Sequence, residues 1–492
     1  MEMTGEYLFA QSPLTADTIA AVATPPGTGG IAVIRLSGPD AITVFKKVWK
    51  GASPDSFKSH TAHLGEIIDT SDRTIIDQVV ATYFQAPGSF TGENTIEISC
   101  HGSHYIQSAV MNALLNAGAR TAGPGEFTQR AFLNGRIDLA QAEAIADLIA
   151  ARARAAHDIA INHTKGGFSH RLSLMRDSLL ELASLLELEL DFSEEDVTFA
   201  DRVKLKDLAS AILSEVCSLA DSYQAGHAIT QGIAVAIAGQ PNAGKSTLLN
   251  KIVGDNRAIV SDIPGTTRDT IEASAVVNGI ELRFIDTAGI RNTDEEIERM
   301  GISRTIDTVK TADFVIWLID PTTDLPTQYA LLQSHLSEID SEHIIIAYTK
   351  SDLNPKDFSA PEIVSPLLKS GEKHLIFSTS DSPLASETIE SHTISATTGE
   401  GLPELLHAIT SRLTGNLDPR HDLLIANARH YEALQRARTS LERVIEGLDT
   451  NLSADFIAQD LRETLAHLGA ITGAITSSEI LQTVFSRFCI GK

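Results

Sequence analysis

One glycine-rich segment, Gly239-Gln240-Pro241-Asn242-Ala243-Gly244-Lys245-Ser246-Thr247, carries spacing that only a few chemistries need. An apolar run, Ile233 to Ala238, leads into it, and a helical Leu248-Leu249-Asn250 follows. This is G-x-x-x-x-G-K-S in strand–loop–helix context: the backbone N–H groups can wrap phosphates, Lys245 can reach the outer phosphates, and Ser246 offers a hydroxyl to magnesium. The partners such a loop requires occur in order. Pro264-Gly265-Thr266-Thr267-Arg268-Asp269 supplies a threonine, Thr267, for magnesium in the triphosphate state. A strand end at Arg283-Phe284-Ile285 opens into Asp286-Thr287-Ala288-Gly289, where Asp286 can hold a magnesium water and Gly289 can offer its N–H to the γ-phosphate. Ile344 to Tyr348 reads as a strand ending in Thr349-Lys350-Ser351-Asp352. Asp352 can accept from the ring N–H and exocyclic amine of guanine, a pair adenine lacks, while Lys350 lies along the base. Ser395-Ala396-Thr397 fits the last base-binding loop, where a backbone N–H meets the guanine oxygen. The set predicts a site for GTP rather than ATP.

Two positions depart from the usual pattern. The base motif is commonly N-K-x-D, and position 349 is Thr, which implies modestly weaker affinity with guanine preference kept by Asp352. Many small GTPases place Gln after D-x-x-G to orient the attacking water; here the residue is Ile290. Either hydrolysis is absent or another group places the water. The acidic Asp294-Glu295-Glu296-Ile297-Glu298 that follows reads, by itself, as a solvated helix start.

The elements that must hold these groups fall into three textures. Residues 1–122 alternate β-rich runs (31–36, 78–84, 94–99) with turns and a helical stretch at 105–117, an α+β domain. Residues 123–227 and 417–492 show leucine and alanine at three- and four-residue intervals, two halves of one helical domain. Between them, 228–416 alternates strands with helices, an inserted Ras-like P-loop domain with a parallel sheet. The whole therefore combines α/β and α architecture, and a chain of 492 residues exceeds one compact domain. With no apolar run of membrane-spanning length, no basic leader before Asp17, and three cysteines without a C-x-x-C pair, a cytoplasmic protein is expected. A net charge of −25 disfavours bulk electrostatic binding to nucleic acid; the basic residues Arg152, Arg154, Lys165, Arg171 and Arg176 form only a loose stretch.

The motifs together resemble the MnmE (TrmE) family of bacterial tRNA-modification GTPases. The resemblance extends beyond the nucleotide motifs to Ala23-Thr24-Pro25-Pro26-Gly27, Pro124-Gly125-Glu126-Phe127-Thr128, Arg130-Ala131-Phe132-Leu133-Asn134-Gly135-Arg136, Asp138 to Ala144, and the tail Phe488-Cys489-Ile490-Gly491-Lys492. It implies a homodimer built through the N-terminal domain, which binds a tetrahydrofolate derivative (5-formyl- or methylene-tetrahydrofolate). It also implies a heterotetramer with the FAD-dependent partner MnmG (GidA), which modifies C5 of the wobble uridine of certain tRNAs with an aminomethyl-type group. By motif, Arg35, Glu97, Arg136 and Lys492 resemble the folate contacts; Thr28 stands where the family often has Arg and receives no role. The resemblance also answers the Ile290 question. In the family the GTPase domains pair in the presence of potassium, which acts where an arginine finger otherwise would. Asn242 matches the potassium ligand, helped by Ser261, Ile263 and Thr266 in the loop Ser261-Asp262-Ile263-Pro264-Gly265-Thr266, and Glu298 matches the glutamate that positions water. Cys489 sits in the tail that resembles the edge of the folate pocket, which makes it a candidate catalytic thiol.

Other signals read as structure. Gly27-Thr28-Gly29-Gly30-Ile31-Ala32 fits G-x-G-x-x-A but leads into a strand-like run rather than a helix. Cys100-His101-Gly102-Ser103-His104 reads as a strand-end turn, Asp191 to Asp196 as an acidic loop, and Ser378 to Glu387 as a surface loop. The rival function is a regulatory ribosome-assembly GTPase, but no G-x-x-G RNA-binding loop occurs after Gly415. A nucleotide-free scaffold is disfavoured by the intact Lys245, Ser246 and Asp286.

Overall fold

The computed structural model describes residues 17–191, 202–255, 273–285, 312–335, 343–353, 363–365, 376–377, 387–415, 417–450, 452–475, 478–486, 488 and 491. Asp286–Gly289, Ser261–Thr267, Glu298, Cys489 and Lys492 lie outside the described residues, as do Phe192–Asp196 and Ser378–Ser386. Contacts divide the chain into two compact units. One comprises Met1–Ala146, His163–Leu213 and Arg436–Lys492; the other comprises Asp147–Asn162 and Ser214–Gln435.

The first unit opens with a seven-stranded sheet: β1 (Ile19–Val22), β2 (Gly29–Ser37), β3 (Trp49–Lys50), β4 (Thr61–Ile68), β5 (Ile75–Phe84), β6 (Thr95–Gly102) and β7 (Arg120–Thr121), in the order β3-β4-β5-β6-β2-β1-β7. The three β-rich runs read from sequence are the central strands β2, β5 and β6. Alternation places Ala32, Ile34 and Leu36 of β2 and Ile96, Ile98 and Cys100 of β6 on one face. That face packs against helices α1 (Ala41–Val48) and α2 (His104–Ala117) through Val44, Phe45, Val110 and Leu114. The residues between, Arg35 and Glu97 among them, therefore lie on the opposite face. Gly29 to Ile31 enters β2 as extended chain, as expected. The Cys100–His104 stretch is the end of β6 and the start of α2, with Ser103 Oγ accepting from Ile106 N at 3.1 Å as the helix cap.

Helices α3 (Glu126–Leu133), α4 (Leu139–Ala150), α5 (Arg154–Thr164), α6 (Gly167–Asp191), α7 (Arg202–Asp221) and α8 (Tyr223–Gln231) follow. In the first unit α6 packs along a later helix, Ala454–Thr472, burying Leu172, Leu179 and Leu186 on one and Ile457, Leu461 and Leu468 on the other. Helical stretches nearly three hundred positions apart in the chain thus share a core.

The second unit holds β8 (Ile233–Gly239), α9 (Lys245–Asp255), β9 (Ala273–Val277), β10 (Ile280–Phe284), β11 (Phe314–Ile319), α10 (Leu325–His335) and β12 (Ile344–Tyr348). A small sheet of β13 (Ile363–Ser365), β14 (Ile376–Phe377) and β15 (Glu387–Ile389) precedes β16 (Ser391–Thr393) and α11 (Leu402–Thr414). The main sheet runs β16-β12-β11-β8-β10-β9. The parallel sheet expected from sequence holds for five strands, but β9 runs antiparallel to β10. The reason is local: Asn278 (φ 51°) and Gly279 (φ 81°) make a two-residue turn of the kind that closes a tight hairpin. The chain ends with α12 (Ala428–Asp449), α13 (Ala454–Thr472) and α14 (Ser478–Ser486). Among the described residues no helix is long and apolar enough to cross a membrane.

One packing relation was not legible in the sequence. Ala155 and Ile159 of α5, with Ala228 and Ile229 of α8 and Leu424, are buried in the same core as Val235, Leu282 and Leu405 of the nucleotide-motif region. The tip of the β9–β10 hairpin is tied to α5, because Ala155 N donates to Gly279 O at 2.9 Å.

Candidate nucleotide and pterin sites

The strand registers explain why motifs far apart in sequence meet. Leu318 of β11 pairs with Gly239 of β8, Ile319 with Tyr348, and Tyr348 with Thr393. The glycine-rich loop, the Thr349–Asp352 segment and the Ser395–Thr397 loop therefore leave the same edge of the sheet, the C-terminal ends of its parallel strands, where open α/β sheets bind ligands. At Gly239 φ is +138° and an added Cβ would lie 2.6 Å from Leu318 O, so only glycine lets β8 turn there. The Lys245 ammonium donates to Gly239 O and Gln240 O, each at 2.9 Å, which sets it inside the loop. Lys245, Ser246 and Thr247 form the first turn of α9, whose N–H groups and dipole favour an anion. Ala243 is buried, and Asn242 holds φ of 63°, a left-handed conformation uncommon for a side-chain-bearing residue.

At the base end, Ser395 is fully buried and its hydroxyl donates to Asp352 Oδ1 at 2.7 Å while accepting from Thr398 N at 3.1 Å. Ser395 thereby sets the orientation of a carboxylate that is otherwise exposed. Ser351 N donates to Ile394 O at 3.1 Å, joining the two base loops. Thr349 is buried; its N–H and hydroxyl both donate to Ile319 O, at 2.8 and 3.3 Å. The position that departs from N-K-x-D is thus tied to the end of β11.

Sequence reading missed Asp320. It is buried, and its Oδ2 takes the Lys350 ammonium at 2.5 Å while Oδ1 accepts from Thr322 N and Oγ1 at 3.0 and 2.6 Å. Gln328, buried on α10, brackets its backbone through Asp320 N and O. Burial alone would push the Asp320 carboxyl upward, but the hydrogen bond from Lys350, with those of Thr322, outweighs it and holds the carboxyl below its ordinary range. Asp320 fixes Lys350, the lysine expected from sequence to lie along the base. An acid directly after the apolar run Phe314–Ile319 and before Pro321 was the available signal.

The candidate folate residues form a second site in the other unit. Arg35 and Glu97 are register partners across β2 and β6. Arg35 Nε and Nη2 lie 2.9 and 2.8 Å from the same Glu97 oxygen, Oε1. The Arg35 guanidinium carbon also lies over the rings of Phe90 and Phe127, 5.6 and 5.5 Å from their centres. Phe127 is fully buried beside Ile19, Ala21 and Ala122, so α3 covers the sheet face next to Arg35. Arg136 is exposed, and its Cγ lies where a Cβ on Gly92 would be 3.2 Å away, beside the loop that carries Phe90. The tail approaches the same region. Phe488 is buried and lies against Gly125, and a Cβ on Gly491 would collide with the carbonyl oxygen of Val22, the β1 residue paired with Ile34.

Comparison with known proteins covers nearly the whole chain. The description "GTP-binding protein TrmE N-terminus" matches residues 18–136, and "MnmE helical domain" matches residues 139–489. The chain belongs to the MnmE family. A relative named tRNA modification GTPase MnmE, from Parabacteroides distasonis, is 44% identical over 480 residues, 96% of this chain and 100% of that one. Relatives of the same name from Flavobacterium johnsoniae and Porphyromonas gingivalis are each 43% identical, covering 97% of this chain and 99% and 98% of theirs. Membership in the MnmE family thus rests on nearly the full length and not on the nucleotide motifs alone. Arg35, Glu97 and Arg136 lie within the N-terminal match, and Asn242, Lys245, Asp352 and Ser395 within the other.

Proposed function

We propose that this tRNA-modifying GTPase hydrolyses GTP to drive, with a flavoprotein partner of the MnmG kind, the C5 modification of the wobble uridine, drawing a one-carbon unit from a tetrahydrofolate derivative. The observation that carries this reading is the near-complete match to relatives named for tRNA modification, over a chain whose phosphate loop and base loops converge on one sheet edge. The four-segment organisation (1–122, 123–227, 228–416, 417–492), the cytoplasmic location and the homodimer built through the N-terminal domain belong to the same proposal. Mass spectrometry of tRNA nucleosides tests it: a strain lacking this chain should lose the modified wobble uridine and regain it on complementation. A deletion strain with unaltered nucleosides would favour the ribosome-assembly reading.

Within the nucleotide site, each residue has a defined task. The N–H groups from Asn242 to Thr247 bind phosphate oxygens, Lys245 neutralises the outer phosphates, and Asp352, oriented by Ser395, reads guanine. Ser246, in the first turn of α9, suits magnesium with Thr267, and Asn242 suits potassium with Ser261, Ile263 and Thr266. When bound, these cations supply positive charge beside the phosphates where negative charge builds in the transition state. Asp286 to Gly289 complete the γ-phosphate side, and Glu298 positions water in place of the glutamine that Ile290 replaces. For the folate derivative, the Arg35–Glu97 pair and the exposed Arg136 fit a ligand that bears both polar N–H groups and carboxylates.

The cation assignment makes a specific prediction. GTP turnover should be faster in potassium than in sodium at equal ionic strength, an effect screening cannot produce. Asn242→Ala should blunt that difference. Glu298→Ala should lower turnover about a hundredfold with nucleotide affinity kept, the scale of losing a positioned acid–base group. Equal rates in the two salts would rule out the potassium site, and weakened GTP binding with normal turnover would return Glu298 to a surface charge.

A further inference from the structure

Close in the chain to Phe90 and Phe127, the rings beside Arg35, lies a buried charge cluster that the proposed chemistry does not use. Arg130, on α3, has a side chain with no solvent exposure. Its Nη1 donates to Asp17 O at 2.8 Å and lies 3.2 and 3.3 Å from the two Glu93 oxygens. Its Nη2 donates to Asp17 Oδ1 at 2.7 Å and to Glu126 Oε1 at 3.0 Å. Glu93 also accepts from Ser37 Oγ at 2.8 Å, and Glu126 accepts from Gly123 N at 2.8 Å. A single guanidinium therefore ties together the chain entering β1, the 89–94 loop before β6, and the turn that opens α3. Burying such a fork costs desolvation energy that a hydrophobic core would not incur, so its geometry calls for a reason beyond stability.

The reason lies one residue away on α3 and three residues away on the loop. Glu126 precedes Phe127, and Glu93 shares its short loop with Phe90; these are the two rings over which the Arg35 guanidinium rests. Phe127 is fully buried, but Phe90 is 38% exposed and depends on its loop for position. That loop is further held by Asn134 Nδ2, which donates to Thr91 O at 2.7 Å, and by the Ser37, Thr91 and Thr95 hydroxyls. Burial raises the Glu93 carboxyl above its ordinary range, and the Arg130 guanidinium with the Ser37 hydroxyl offsets only part of that rise. Arg35 places both Nε and Nη2 on one Glu97 oxygen, so the angle of its plane decides what edge the pair offers a ligand.

We propose that Arg130 is a positioning residue for the Arg35–Glu97 pair: through Glu93 and Glu126 it fixes Phe90 and Phe127, whose rings set the plane of the Arg35 guanidinium. It rests on the reading of this pair as part of the folate site and adds to it how the pair is held.

The test uses the full-length chain as wild type, Arg130→Lys, Phe90→Leu and the double variant. Arg130→Lys keeps a cation beside Glu93 but loses the fork; Phe90→Leu removes a half-exposed ring that the core does not need. Two readouts are taken. In protein labelled with [15N]arginine, the Arg35 Nε–H resonance, assigned by its loss in Arg35→Lys, should move in Phe90→Leu and in Arg130→Lys, because both change the ring field over the guanidinium. Titration with 5-formyltetrahydrofolate should show about a tenfold loss in each single variant, the scale of a cation–π contact in a desolvated site. The double variant should be no weaker than the worse single, since both act through Arg35. A merely structural Arg130 would leave the Arg35 resonance in place or give losses that multiply, and either result overturns the proposal. Wild-type chain that fails to bind 5-formyltetrahydrofolate overturns the folate reading instead, and the resonance still judges Arg130.

Discussion

Asp352→Asn is expected to lower GTP affinity at least about a hundredfold and to raise affinity for xanthosine triphosphate by a comparable factor, because one carboxylate acceptor becomes a donor. The geometry makes this variant unusually clean. Ser395 Oγ donates to Asp352 Oδ1 at 2.7 Å, and an asparagine can keep that bond with its own carbonyl oxygen. The amide nitrogen then occupies the Oδ2 position, the half of the carboxylate left to face a base. Guanine would present its ring N–H and amine to that nitrogen, donor against donor; xanthine offers an oxygen in place of the amine. Lys350, held by Asp320 at 2.5 Å, stays in place in both cases and keeps the stacking side of the site intact. Competition binding with the two triphosphates measures the exchange. An unchanged preference for GTP would remove Asp352 from the base site.

How far the sequence disclosed this site follows from what each signal encodes. The phosphate loop was legible because an apolar run, glycines and a lysine must coincide for a strand to turn into a helix around phosphates, and β8, the loop and α9 appear where that coincidence fell. Asp352 and Ser395 were legible as separate motifs, but their hydrogen bond was not, since it spans 43 positions and depends on the β12–β16 register. Asp320 was missed because an acid after a strand has no fixed partner in sequence; only the fold brings Lys350 to it. Helix periodicity placed 123–227 in a helical domain but could not say which core receives Ala155 and Ile159, because a helix stripe carries no address. In the sequence Arg130 is one residue of a family-like segment, and its burial among three acids is a property of tertiary structure alone.

The hairpin that α5 contacts sits at an informative point. β9 begins four residues after the P-G-T-T-R-D motif ends, and β10 ends two residues before Asp286. The two segments proposed to meet the γ-phosphate and its magnesium therefore flank one tight hairpin in the chain. Its tip bonds to α5 through Ala155 N and to α11 through Asn278 Nδ2, which donates to Thr410 Oγ1 at 3.2 Å.

Cys489→Ser is expected to abolish wobble-uridine modification while leaving GTP turnover and 5-formyltetrahydrofolate binding near wild type. Serine nearly preserves volume and polarity, so the fold should accept it. A hydroxyl, however, is a far weaker nucleophile than a thiolate and cannot replace it chemically. Position supports a role at the folate end. Cys489 lies between Phe488, buried against Gly125, and Gly491, pressed on the carbonyl of Val22. Val22 ends β1, whose Ala21 is the register partner of Arg35, so Phe488 and Gly491, which flank Cys489 in the chain, lie beside elements of the domain that carries the proposed folate contacts, while Cys489 itself is outside the described residues. The nucleotide motifs belong to the other compact unit, which is why GTPase activity should be indifferent to the change. The measurement is mass spectrometry of tRNA nucleosides from cells whose only copy carries the variant, alongside GTPase and folate assays on the purified chain. Normal modified uridine in those cells would make the thiol structural, and Lys492 would then be the tail's remaining contributor, through the ligand carboxylate.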